Sequence, residues 1–228
     1  SDSPFIVTFA SSGTLSLSNT VTIGGITGAS YADLRDLNAD GKPDLVVINN
    51  GDSNTSRVFV FLNTSTAGGL SFTLVAALTP SVQVRESVDL FDVDGDGKLD
   101  VVLTGLFSGI VVYRNTTTAL SSALRFGPPL TFASHSDLFT QLADLDGDGR
   151  PDIIGGGSSP YSGSANISIL RNVSTAGSIS FSTFFNFPSQ GVDPDGVGVI
   201  DLDKDGKPDL VIGNATSGNL QLFHNIST

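Results

Sequence analysis

The chain of 228 residues contains no cysteine, methionine or tryptophan, and only two histidines. Without cysteine, neither a disulfide nor a thiolate metal centre can stabilise the fold. Lysine and arginine together number 11 against 23 acidic residues, which gives a formal charge of −12. This shortage of basic side chains argues against nucleic acid and against an anionic membrane surface as partners. No apolar run approaches the roughly 18 residues of a membrane span, so we expect no membrane insertion.

The sequence also lacks the motifs of common catalytic sites. Serine is abundant, but no G-x-S-x-G turn occurs, and no glycine-rich phosphate loop precedes a helical pattern. His135 and His224 show no metal-ligand spacing, and we interpret His224 as a surface residue at the end of a strand. Asp193 and Asp195 lie in a segment typical of a turn. We therefore predict that the chain is not an enzyme.

The residues that are present favour strands. Glycine accounts for 26 residues, 39% of the chain is hydrophobic, and no long segment has the apolar spacing of an amphipathic helix. Short apolar runs separated by turn residues are typical of an all-β protein. We expect the whole chain, residues 1–228, to form a single all-β domain.

An acidic nine-residue motif, D-x-[DN]-x-D-G-x-x-D, occurs four times. Its copies begin at Asp36, Asp92, Asp144 and Asp201, at spacings of 56, 52 and 57 residues. A period in the fifties suits a propeller blade of four strands. Each repeat divides into a run before the loop, a run that begins at the last aspartate, and two further runs. The fourth run is predicted at residues 70–74, 124–126 and 179–182.

These repeats predict a β-propeller of four four-stranded blades, or part of a larger propeller, with a calcium loop between the first two strands of each blade. The N-terminal residues 1–30 supply closing or extra strands. The four repeats are predicted at residues 31–80, 81–133, 134–188 and 189–228.

The loop composition points to calcium. Ca²⁺ takes six to eight oxygen ligands, and side chains at positions 1, 3, 5 and 9 together with the carbonyl of position 7 provide them. Carboxylates this close repel one another unless a cation is present. We therefore expect about four calcium ions. The predicted ligands are Asp36, Asn38, Asp40, Lys42 and Asp44; Asp92, Asp94, Asp96, Lys98 and Asp100; Asp144, Asp146, Asp148, Arg150 and Asp152; and Asp201, Asp203, Asp205, Lys207 and Asp209.

An EF-hand is the competing interpretation of these loops. That motif requires a bidentate glutamate at position 12 and flanking helices. Position 12 is occupied here by Val47, Leu103, Gly155 and Ile212. Since the residues after each loop are apolar and typical of strands, the sequence favours a loop between two strands over an EF-hand.

The acidic loop, the Asp-Leu-Val-Val type of strand after it, and endings such as Asn63-Thr-Ser-Thr66 together resemble the FG-GAP/VCBS repeat family. Integrin α propellers, fungal lectins and bacterial surface proteins carry similar repeats. The resemblance implies a propeller whose loops between the first and second strands bind calcium. The Phe-Gly-Gly-Ala-Pro signature of the family is not evident in this sequence.

The N-terminal segment adds one strand more than four blades need. A strand at about residues 15–23 would complete the last blade, which leaves residues 5–9. Three interpretations stay open. Residues 5–9 form an extra outer strand or fray, they are donated to a neighbouring subunit, or the chain belongs to a larger propeller. A donated strand would join copies head to tail into a filament.

The sequence contains seven Asn-x-Ser/Thr sequons. Four of them directly follow the third strand of a repeat, where asparagine and threonine also favour turns. Surface glycosylation and simple turn chemistry are both open interpretations. The candidate sites are Asn54, Asn63, Asn115, Asn166, Asn172, Asn214 and Asn225.

We predict a non-catalytic protein of the cell surface or extracellular space that serves adhesion or structural assembly. One form of this hypothesis is a subunit of a glycosylated filament. The alternative is a carbohydrate-binding, lectin-like module. The expected partners are other protein subunits, including copies of the chain itself, or glycans.

Overall fold

The computed structural model describes residues 21–50, 56–105, 109–132, 139–158, 165–182, 185–189, 191 and 194–227. These residues contain fifteen β-strands and no helix, which confirms the all-β prediction. Within the same residues, no helix has the length and hydropathy needed to cross a membrane.

The strands form four antiparallel sheets, and in each sheet the strands follow chain order. The first sheet contains β1 (Ala29–Arg35), β2 (Asp44–Asn49), β3 (Arg57–Asn63) and β4 (Phe72–Leu78). The second contains β5 (Val84–Phe91), β6 (Asp100–Gly105), β7 (Gly109–Tyr113) and β8 (Leu130–Phe132). The third contains β9 (Phe139–Ala143), β10 (Asp152–Ser158), β11 (Ala165–Leu170) and β12 (Phe185–Pro188). The fourth contains β13 (Pro194–Ile200), β14 (Asp209–Asn214) and β15 (Asn219–Phe223).

Each repeat therefore folds as one sheet whose strands are joined to their sequence neighbours. The close contacts between sheets join β1 and β2 with β5, β5 with β9, and β13 with β9 and β10. The sheets thus lie side by side in chain order, as successive blades do. Closure of the four sheets into a ring stays a prediction.

Three apolar cores lie between neighbouring sheets. Val46 and Ile48 pack with Leu103 between the first and second sheets. Other residues form equivalent layers between the second and third sheets and between the third and fourth. The middle strands supply most of these buried residues because both of their faces are covered. The apolar side chains of β2, β6 and β7 are accordingly almost all buried.

In the three repeats for which a fourth strand is predicted, that strand begins later than the sequence predicts. Residues 124–126 and 179–182 form no sheet strand, whereas β8 begins at Leu130 and β12 at Phe185. The predicted segments instead pair back in a hairpin, with bridges between Asn115 and Phe126 and between Asn172 and Phe181. In the first repeat the predicted run overlaps β4, which extends to residue 78.

The N-terminal strands predicted in residues 1–30 lie mostly outside the described residues. This applies to residues 5–9 and to the first part of the closing strand at 15–23. Residues 21–28 are described and contain no strand, so the closing strand does not extend through residue 23. The predicted repeat boundaries stay predictions.

Candidate metal centres

The four acidic loops lie where the sequence predicts them, between the first and second strands of each sheet. The glycine at the sixth position of every loop has a left-handed φ, between 84° and 91°. The fourth position is also left-handed, with φ between 59° and 78°, even where it is Ala39 or Lys204. Two residues with left-handed φ so close together give the loop a tight turn, because each one bends the backbone sharply.

The first aspartate of each loop binds the backbone of the loop itself. In the second loop, Asp92 accepts hydrogen bonds from the backbone N–H of Asp96 at 3.0 Å and of Gly97 at 2.8 Å. The other three loops repeat both bonds. The position-7 residues, predicted as carbonyl ligands, donate their backbone N–H to the position-5 carboxylate. These bonds fix the loop conformation through its own carboxylates.

The ninth aspartate joins the loop to the sheet. Asp100 is fully buried, and its two oxygens accept the backbone N–H of Val93 at 3.1 Å and of Asn115 at 2.8 Å. Each bond pins a different segment, the loop start and the end of the third strand. The same pair of bonds connects Asp44 with Leu37 and Asn63, Asp152 with Leu145 and Asn172, and Asp209 with Leu202 and Asn225.

Burial is the main influence on the ninth-position carboxyl in the first three loops. It raises the pKa of Asp100 to about 7, although two backbone N–H groups oppose the shift. It also raises the pKa of Asp44 and of Asp152. In the fourth loop, at the end of the stack, the backbone hydrogen bonds outweigh burial and lower the pKa of Asp209. A divalent cation beside these carboxyls would favour their ionised form.

Carboxylate oxygens converge in three of the four loops. Each of three trios has oxygen atoms within 4.8 Å of one another. In the first loop, which is described throughout, Asn38 replaces the aspartate of position 3, and the carboxylates form no such trio. An all-oxygen donor set suits a hard cation such as Ca²⁺. The trios are Asp92, Asp94 and Asp96; Asp144, Asp146 and Asp152; and Asp201, Asp203 and Asp209.

A cationic side chain next to the loop is a feature that the sequence interpretation missed. Arg114 places Nε 2.5 Å from Asp94 Oδ2 and also contacts Asp96. Burial alone would raise the pKa of Asp94, but the bonds from Arg114 and from a backbone N–H lower it overall. In the third sheet Arg171 contacts Asp146 in the same way.

This position directly precedes the asparagine at the end of the third strand, and we call it the capping position. It holds Leu62, Arg114, Arg171 and His224 in the four sheets. His224, predicted to be a simple surface residue, is half exposed and lies 3.0 Å from Asp203. The alignment of the four repeats was the signal available, since two of the four residues are arginine beside an acidic loop.

A comparison with protein-family models decides the family. The model for the FG-GAP-like repeat matches residues 36–103, 92–155 and 144–212, which together cover more than half of the chain. The chain belongs to the FG-GAP-like repeat family. The resemblance stated from the sequence is thereby confirmed. No curated protein matches the chain significantly.

A set of asparagine hydrogen bonds recurs in these FG-GAP-like repeats and links the second, third and fourth sheets each to the sheet before it. Asn172 Nδ2 donates to Val93 O of the preceding sheet at 2.9 Å and to Pro151 O of its own sheet at 3.0 Å. Its Oδ1 accepts the backbone N–H of Ser174. The equivalent donor bonds run from Asn115 to Leu37 O and Leu99 O, and from Asn225 to Leu145 O and Pro208 O.

These contacts bear on the sequons. Asn115 and Asn172 are fully buried, and both hydrogens of each Nδ2 are engaged. Asn63 and Asn214 are also buried and bonded through Nδ2. A glycan on Nδ2 would remove these bonds, so the structure favours turn chemistry over glycosylation at these positions. Asn166 is half buried on β11, and Asn54 lies outside the described residues.

We expect Asn172→Asp to destabilise the protein by at least about 2 kcal/mol. The substitution replaces an N–H donor by an oxygen that faces two buried carbonyls, and each unsatisfied buried group costs about 1–3 kcal/mol. Urea denaturation measures the loss. Asn219→Asp is the matched control, because Asn219 is exposed and uses its Oδ1 to accept a bond from Asn214. Equal midpoints for the two variants would contradict the linking role of Asn172.

Proposed function

We propose that this protein is an extracellular, non-catalytic, calcium-binding propeller that serves adhesion or structural assembly. In this proposal, copies are joined head to tail through residues 5–9. The observation that supports the assembly role is the edge of the fourth sheet. Its last strand, β15, pairs with β14 on one side, and no described strand pairs with its other side.

Calcium is the cofactor that best fits the loops. Their donors are carboxylates held by a fixed backbone, and three loops bring three carboxylates within 4.8 Å. About four ions would reduce the formal charge from −12 to about −4. The role we propose for them is to hold the first two strands of each blade together, so that binding energy becomes folding energy.

The outer edge of β15 has the properties of an acceptor for another strand. Leu220 and Leu222 on this strand are 69% and 62% exposed. Among the described residues, no strand continues the sheet beyond β15, and a sheet edge of this kind favours pairing with another strand. In this proposal, residues 5–9 of a neighbouring copy occupy the edge in place of the chain's own predicted closing strand at about residues 15–23, and they cover the apolar side chains.

A cavity of about 750 Å³ lies beside this edge, between the third and fourth sheets. Its walls include Phe185, Phe187 and Phe223. Between the second and third sheets, Phe181, which follows Asn172 in the chain, packs against Phe132. Their ring centroids are 5.0 Å apart. In the cavity wall, Phe223 of the fourth sheet packs edge-on against Phe187, with ring centroids 4.9 Å apart. The donated segment would add two phenylalanines, at positions 5 and 9, to this aromatic lining.

Deletion of residues 1–10 tests the assembly. In calcium, we expect the intact protein to form filaments in negative-stain electron microscopy, and the deleted protein to be monomeric by light scattering. Its melting temperature should stay close to that of the intact protein, because the four described sheets are untouched. Filaments that persist after the deletion would rule out the donated strand.

A pair of surface variants tests the acceptor edge. Leu222→Lys places a charge on β15 and should prevent strand addition. Leu120→Lys makes the same change at a leucine that is 73% exposed elsewhere, and should leave assembly intact. If the intact protein forms only single particles and those particles bind a glycan array, the lectin-like alternative replaces the assembly role.

A further inference from the structure

The fourth loop differs from the other three in the chemistry of its capping residue. His224 places Nε2 3.0 Å from Asp203 Oδ2 and 3.7 Å from Asp205 Oδ2. These three side chains bring one nitrogen and two carboxylate oxygens within 4.8 Å of one another. Elsewhere the capping position holds leucine or arginine, neither of which binds a metal.

The fold itself aims this position at the loop. In the second sheet, Arg114 contacts the carboxylates of the third and fifth loop positions. Arg171 reaches the same two loop positions in the third sheet. The capping side chain therefore points at the acidic loop in the second and third sheets, and His224 does the same in the fourth.

One imidazole nitrogen with two carboxylate oxygens is a donor set for zinc-class ions, whereas Ca²⁺ prefers oxygen alone. Zinc ligands lie about 2.0–2.1 Å from the metal, so neighbouring ligands in a tetrahedron are about 3.3 Å apart. The distances of 3.0 and 3.7 Å from His224 Nε2 to the two oxygens lie on either side of that value.

Solvent access to the cluster is consistent with an exchangeable ion. The side chains of His224, Asp203 and Asp205 are 57%, 49% and 36% exposed. The remaining coordination positions are thus open to water or to a ligand from another molecule. This arrangement is that of an open site with three protein ligands and not that of a closed structural zinc site.

We propose that His224, Asp203 and Asp205 bind a divalent ion of the zinc class at the fourth blade alone. Because two of the ligands are also predicted calcium ligands, zinc and calcium compete at this blade. Only that competition rests on the proposed calcium function. The zinc site itself requires nothing beyond the three side chains.

Isothermal titration of the untagged protein with Zn²⁺ tests the proposal. We expect one Zn²⁺ per chain for the intact protein, and an affinity at least about tenfold lower for His224→Arg, which installs the residue of the third sheet. His224→Leu, the residue type of the first sheet, should show the same loss. The matched control is His135→Leu, which removes the other histidine of the chain and should leave the affinity unchanged.

Co²⁺ supplies a second measurement, since a tetrahedral Co²⁺ site has a strong visible absorption. This band should form with the intact protein and be absent in His224→Arg. Unchanged Zn²⁺ affinity in His224→Arg, or no Zn²⁺ binding by the intact protein, would overturn the proposal. A Ca²⁺ titration separates the two claims, because an intact protein that binds Zn²⁺ but no Ca²⁺ would contradict only the proposed function.

Discussion

Removal of calcium is expected to lower the melting temperature more than any single substitution. A ligand that binds only the folded state stabilises it by about 2.7 kcal/mol when its concentration is a hundred times the dissociation constant. In a protein of this size, 1 kcal/mol corresponds to a shift of roughly 2–4 °C. Each occupied loop should therefore contribute roughly 5–10 °C, and four loops several times that.

The physical cause is carboxylate repulsion in the metal-free loops. The second loop holds Asp92, Asp94 and Asp96 with oxygens within 4.8 Å, and Arg114 neutralises only part of that charge. Without a cation, the folded state must keep these charges together, whereas the unfolded chain separates them. Calcium bound as we propose would remove this penalty and add its own ligand bonds.

Differential scanning calorimetry in millimolar Ca²⁺ and in EGTA, at constant ionic strength, measures the effect. Mg²⁺ should replace Ca²⁺ poorly, because it demands a stricter octahedral geometry and gives up its water reluctantly. Asp94→Ala, which removes a predicted ligand oxygen from the second loop, should reduce the calcium-dependent shift by about the contribution of one loop. Asp195→Ala, at an exposed aspartate outside the loops, should leave the shift unchanged. Identical melting temperatures in Ca²⁺ and EGTA would contradict a structural role for the metal.

The sequence predicts the repeat well because its signals are local. The loops need glycine at the sixth position for a left-handed turn, and the run after Asp100 needs apolar residues on both faces. Both requirements can be read within a dozen residues, and the loops and middle strands lie where they are expected.

The features that the sequence did not predict depend on neighbours in space. β1 is largely exposed and β13 is only partly buried, because both belong to the end sheets of the described stack. The late start of β8 follows from a hairpin that closes on Asn115. The contact of Arg114 with its loop requires knowing that the third strand ends beside the loop.

The sequence assigned the ninth aspartate only to the metal, and the structure adds a second role that leads to a further prediction. Asp100→Ala should destabilise the protein by about 2–6 kcal/mol, because two buried N–H groups lose their acceptor and each costs about 1–3 kcal/mol. Those groups belong to Val93 and Asn115. This loss is a large part of the roughly 5–15 kcal/mol that stabilises a typical domain.

Asp100→Asn should fall between the wild type and the alanine variant, since its amide retains one acceptor and presents a donor to the other N–H. It provides a folded protein for measurement if Asp100→Ala does not fold. Asp195→Ala is the control, because that aspartate is exposed and lies outside the loops. Chemical denaturation in Ca²⁺ and in EGTA then separates the two roles of Asp100. If the loss of stability persists in EGTA, it supports the hydrogen-bonding role of Asp100. A loss of stability seen only in Ca²⁺ would mean that Asp100 acts through the metal alone.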